Sequence, residues 1–74
     1  MLQKVKTLLA KQLEMKVEDI ADDMNIIEDL GADSLQIVEM LMTIEEKFNI
    51  VVPDEDVPEL KTVKSVAAYI ESKI

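Results

Sequence analysis

Apolar residues recur at helical spacing in three stretches of the chain and lose that spacing between them. Over residues 2–15, Leu2, Val5, Leu9 and Leu13 share one face with Leu8 flanking them, while Lys4, Lys6 and Lys11 point away. This period predicts an amphipathic helix. A second helix is predicted from Ser34 to Phe48, with Ile37, Met40, Leu41, Ile44 and Phe48 on its core face. A third runs over residues 63–73, capped by Thr62, with Val63, Val66, Ala67, Ile70 and Ile74 as its stripe. Lys64, Glu71 and Lys73 lie outside that stripe, and Tyr69 flanks it with its hydroxyl at the watered edge. Between the second and third helices, Ile50-Val51-Val52 is too short to stand as a strand without a partner run. Asp54 is placed to cap a short helix over residues 54–59. Pro58 removes a donor there and disfavours helical angles at Val57, so at most one irregular turn is expected. The pattern predicts an all-α fold, a small four-helix bundle with a long first loop and a short, irregular third helix. Residues 1–74 read as one domain.

Residues 16–33 make a connection longer than most helix–helix links, so it is expected to be pinned to the core or functional. Val17, Ile20, Met24, Ile26, Ile27 and Leu30 are the candidate pins, and Glu18-Asp19-Ile20 can form an isolated turn. Asp22, Asp23, Asn25, Glu28 and Asp29 raise the question of calcium. An EF-hand loop needs acids at alternate positions, a glycine at the sixth and a glutamate at the twelfth, and no register here provides them. No metal ligand is assigned, which leaves weak divalent binding open.

The connection ends in Glu28-Asp29-Leu30-Gly31-Ala32-Asp33-Ser34-Leu35, which holds the only glycine of the chain. Gly31 permits backbone angles closed to other residues. Asp33 is placed to cap the second helix, and Gln36 three positions later completes a capping-box pattern. Ser34 then falls in the first turn, where unpaired N–H groups and the positive end of the dipole favour an anion. A hydroxyl there, beside small Ala32, is a good anchor for a phosphate ester. For a bare Asp-Ser-Leu the plainer reading, a polar first-turn residue, is favoured, and the local spacing alone decides nothing.

Leu35 and Met42 fall on the outer side of the second helix, among Glu39 and Glu46 and beside Ser34. Large apolar residues interleaved with acids on an outward face read as a docking surface, with Gln36 and Glu45 flanking it.

Composition sharpens this picture mainly by exclusion. The 74 residues include no cysteine and no histidine, which removes disulfides, thiolate metal sites, the usual general base and the usual zinc ligands. No lysine lies near Ser34 in sequence, so a Ser–Lys pair is not supported either, and a non-catalytic role is expected. Phe48 and Tyr69 are the only aromatics, so packing rests on aliphatic side chains. Net charge is −8, and residues 17–60 hold fourteen acids against the single Lys47. That field repels nucleic acid and anionic membrane and attracts proteins with basic patches; it also serves solubility alone. No targeting segment or long apolar span is evident, so a cytoplasmic monomer without stable membrane insertion is expected.

The run Asp29-Leu30-Gly31-Ala32-Asp33-Ser34-Leu35 resembles the prosthetic-group site of acyl carrier proteins. Val38-Glu39, Ile44-Glu45-Glu46-Lys47-Phe48 and Val52-Pro53-Asp54-Glu55 resemble the same family in order and spacing, across essentially the whole chain. The resemblance implies that Ser34 carries 4′-phosphopantetheine through a phosphodiester, that Asp33 presents it to a phosphopantetheinyl transferase, and that the bundle interior shelters an acyl chain held as a thioester. It further implies partners from fatty-acid synthesis with basic docking patches, meeting Leu35, Gln36, Glu39, Met42, Glu45 and Glu46. Two positions depart from the family pattern: Gln36 stands where fatty-acid carriers usually have an acid, and Pro58 interrupts a segment that is usually helical. Polyketide, aminoacyl and peptidyl carriers, and an acidic interaction module that is never modified, are the alternatives.

Overall fold

The computed structural model describes residues 1–74. Helix α1 (Leu2–Leu13) buries Val5, Leu8, Leu9 and Ala10. Leu8 therefore belongs to the core itself, while Leu2 and Leu13 pack half-buried against it. The helix ends before residue 15 because Glu14 turns into the left-handed region (φ 55°), and its N–H bonds the Ala10 carbonyl. Lys6 does not simply solvate the outer face: its ammonium pairs with the Asp22 carboxylate and ties α1 to the long connection.

Helices α2 (Ser34–Phe48) and α3 (Val63–Lys73) have the predicted bounds. Asn49 closes α2 at φ 55°, a conformation that asparagine tolerates better than most residues. Between them Asp54–Glu59 forms a 3-10 helix of six residues, about two turns at this helix's ~3 residues per turn. This is more regular than one irregular turn, because a 3-10 helix across Pro58 forfeits only one N–H. Pro53, not Asp54, stands at its N-cap. A shorter 3-10 turn covers Val17–Asp19, inside the long connection. With it set aside, three α-helices and the 54–59 helix give the expected bundle.

Fifteen residues form the buried core, all apolar. Ile20 and Ile26 pin the long connection, and Val17, Met24 and Leu30 lie half-buried against the core. Ile27 does not act as a pin; it is 59% exposed, and Ile74, expected in the α3 stripe, is 67% exposed at the end of the helix. The connection is also held by a backbone seam along the start of α3. Ile26 N–H donates to Lys61 O (2.9 Å), Val63 N–H to Met24 O (3.1 Å) and Lys64 N–H to Asp22 O (2.8 Å). An isolated antiparallel bridge between Asn25 and Thr62 marks the middle of this seam.

Candidate functional site

Residues 25–33 are folded by one asparagine before they reach α2. Asn25 Oδ1 accepts the Ile27 and Glu28 N–H groups, both at 2.9 Å. Its own N–H donates to Asp29 Oδ2 (2.8 Å), and its carbonyl accepts from Asp29 and Leu30. Gly31 N–H to Ile27 O and Ala32 N–H to Ile26 O close the loop at 3.1 Å each. Gly31 sits at φ 73° with nothing within 4 Å of where a side chain would start. The backbone angle, not crowding, is what calls for glycine. Ala32 is buried, so the small residue next to the site is a plug under the loop.

From this platform Asp33 enters α2 in extended backbone and caps it. Its Oδ1 accepts Gln36 N–H (2.9 Å), and Gln36 Oε1 accepts Asp33 N–H (3.1 Å). The capping box is therefore present as predicted. Ser34, the first helical residue, is exposed. Its hydroxyl makes no internal hydrogen bond, and neither the Ser34 nor the Leu35 N–H meets a protein acceptor. An unengaged oxygen and two free donors thus converge at the positive end of a 15-residue helix.

An apolar cleft opens beside Ser34. Ile27, Ile37, Val38, Leu41 and Val57 line its mouth, with Ser34 and Asp54 at the edge. It continues past Pro58 and Leu60 toward Asn25, Glu28 and Lys61, as a space of about 390 Å³. The exposed Ile27 thus has a place as one lip of this cleft. The cleft lies between the long connection, α2 and the 54–59 helix, outside the filled core.

On the outward side of α2, Leu35 (65%) and Met42 (61%) are exposed as predicted, and Val38 (50%) joins them. Val38 was legible as the missing i+3 member of that row. Glu39 and Glu46 are exposed beside it, and Glu39 Oε2 also accepts from Gln12 Nε2 (3.0 Å). Glu45 departs from expectation. It is half-buried, and its Oε2 accepts Val52 N–H at 2.9 Å. One oxygen of its carboxylate thus fastens the loop after α2. Tyr69 also departs: its hydroxyl does not end in water but donates to Asp56 Oδ2 at 2.6 Å.

Residues 3–70 match the family described as "Phosphopantetheine attachment site". The acyl carrier protein of Bdellovibrio bacteriovorus is 47% identical over 70 residues, covering 95% of this chain and 90% of the relative. The chain belongs to the acyl carrier protein family. A second such carrier, from Helicobacter hepaticus, is 47% identical over 68 residues, covering 92% of this chain and 90% of its own. The solved acyl carrier protein from Enterococcus faecalis superposes with a TM-score of 0.83 at 32% identity, over 99% of this chain and 92% of the other. Members of the family are carriers rather than catalysts, and their prosthetic group is a covalently attached 4′-phosphopantetheine. The start of α2 fits such a group: an unengaged hydroxyl can form the ester, and free N–H groups are available to the phosphate charge. No helix is long and apolar enough to cross a membrane.

Proposed function

We propose that Ser34 is the attachment oxygen for 4′-phosphopantetheine, and that the chain delivers acyl thioesters to the enzymes of fatty-acid synthesis in the cytoplasm. The observation that carries this reading is the unengaged Ser34 hydroxyl at a helix start with two free N–H groups, opening onto an apolar cleft. When bound, the arm supplies the thiol on which acyl groups travel. The chain's own residues do the rest. Asp33 holds the first turn in shape for the transferase, and Ile27, Ile37, Leu41 and Val57 exclude water from an aliphatic chain laid beside Ser34. Leu35, Val38 and Met42 form the apolar centre of a docking face, with Gln36 at its Ser34 end and Glu39 and Glu46 as an acidic rim for basic partners.

Intact mass after incubation with coenzyme A and a phosphopantetheinyl transferase tests the assignment. Wild type should gain one phosphopantetheinyl increment and Ser34→Ala none. Ser65 and Ser72 are the alternative serines, and both hydroxyls donate internally, to Thr62 O (2.8 Å) and Tyr69 O (2.7 Å). An increment that persists in Ser34→Ala would move the site.

A further inference from the structure

The 54–59 helix is the wall of the cleft with the least of its own to hold it in place. None of its residues is buried. Hydrogen-bond geometry in 3-10 helices is poor, and Pro58 takes one donor out of this one. Only one side-chain hydrogen bond is made by any of its residues, from the Tyr69 hydroxyl of α3 to Asp56 Oδ2 at 2.6 Å. Asp56 adjoins Val57, which lines the cleft at its mouth and deeper in, opposite Ile37 and Leu41. The Tyr69 ring is itself held from another side, with Lys73 Nζ 5.3 Å from its centroid.

We propose that Tyr69 is a positioning residue for the cargo: by clamping Asp56 it sets where Val57 stands and so how tightly the cleft closes over an aliphatic chain. This rests on the reading that the chain carries acyl groups from Ser34. The clamp acts from α3, and Tyr69 is not among the residues that line the cleft. A phenol is suited to the task because its donor sits at the end of a stiff ring with few rotatable bonds, so the distance from α3 to Asp56 is fixed once the ring is packed. The same carboxylate, through that hydrogen bond, pushes the Tyr69 pKa up to about 12. The hydroxyl is therefore a donor throughout the neutral range.

The test uses wild type, Tyr69→Phe, Asp56→Ala and the double variant, each loaded with an acetyl or an octanoyl thioester and cleaved by free hydroxylamine. Amide hydrogen exchange at Leu60, whose N–H closes the 54–59 helix on Val57 O at 3.0 Å, is followed in the unloaded proteins. Wild type should protect octanoyl relative to acetyl. Tyr69→Phe should raise octanoyl cleavage about fivefold, the scale of one lost hydrogen bond, with acetyl cleavage and the transferase rate unchanged. Leu60 exchange should rise by a similar factor. Asp56→Ala should do the same, and the double variant should add nothing further, as expected for two halves of one contact. Because Asp56→Ala removes the bond from the other side, it decides the matter even if Tyr69→Phe fails to fold. Octanoyl protection equal to wild type in the variants overturns the clamp and leaves the carrier reading standing. Octanoyl cleaved as fast as acetyl in wild type overturns the sheltering cleft, and the clamp's role with it.

Discussion

Helices α2 and α3 begin with the same device and put it to different ends. Each opens with a capping box, Asp33 with Gln36 in one and Thr62 with Ser65 in the other. At α3 the remaining first-turn donors are taken, Val63 N–H by Met24 O and Lys64 N–H by Asp22 O, and Val63 is fully buried. At α2 the equivalent donors, on Ser34 and Leu35, are left open to solvent. A capping box therefore says where a helix starts, and the fate of its two uncapped N–H groups says what the start is for. One start fastens the long connection; the other is left free beside a cleft.

The comparison breaks most visibly at the two caps. Asp33→Ala and Thr62→Ala should each lose about 1 kcal/mol of stability, the usual worth of a side-chain cap, read from urea unfolding. Their functional consequences should diverge. Asp33→Ala should slow transferase modification by about tenfold, because the first turn that presents Ser34 frays. Thr62→Ala should leave that rate within about twofold while hydrogen exchange quickens at Ile26 and Lys64, whose bonds depend on the α3 start. Equal slowing in both variants would mean that global stability governs modification, and that the open end of α2 is not special.

The capping boxes explain why part of this was legible in sequence and part was not. Asp33 and Gln36 are three residues apart, so local spacing reveals the cap, and the periodic stripes reveal α1, α2 and α3 for the same reason. Leu35 and Met42 stood out because a helical wheel gives them no core to join. What spacing cannot show is a contact between distant segments. The Glu45 bond to Val52, the Tyr69 bond to Asp56, the Lys6 pair with Asp22 and the seam from Asp22 to Lys64 all link different elements. They decided which polar residues were free and which were committed. Asn25 is an intermediate case. Its bonds reach only residues 27–30, and an asparagine with an acid four positions later was a readable turn signal.

The helix faces sharpen the comparison further. α2 presents Leu35, Val38 and Met42 to solvent, whereas the exposed positions of α3 before its last residues are Lys64, Ala68 and Glu71. Met42→Ala should change stability by no more than about 0.5 kcal/mol, as for other surface substitutions, yet weaken binding to the proposed transferase partner severalfold at any salt concentration. Glu39→Lys should slow encounter mainly at low ionic strength. A loss of about 2–5 kcal/mol in Met42→Ala, the range for a buried methionine, would place that side chain in the core and remove the apolar centre of the proposed docking face.

The smallest effect concerns the tie from α3 to the 54–59 helix, through the titration of Tyr69. Its hydroxyl donates to Asp56, and that bond, followed by burial and by the negative charges of Asp56, Glu59 and Glu45, raises its pKa from 10.0 to about 12. A group whose folded pKa is raised contributes stability that is complete below its unfolded pKa and disappears as pH climbs through the folded one. The bond is therefore constant across the neutral range and weakens only between about pH 10 and pH 12. Tyr69 is the sole tyrosine and there is no tryptophan, so phenolate absorbance reports this one site. Wild type should titrate well above Asp56→Ala, whose midpoint should fall back toward the ordinary tyrosine value. The chain already carries a net charge of −8 before the phenol ionises. Repulsion among the acids then grows as the phenol ionises. Running both titrations in high salt screens that repulsion and keeps unfolding from masking the shift, with circular dichroism as the check that the helices persist. Coincident midpoints in folded wild type and Asp56→Ala would show that the hydroxyl faces water, and that α3 does not hold the 54–59 helix through it.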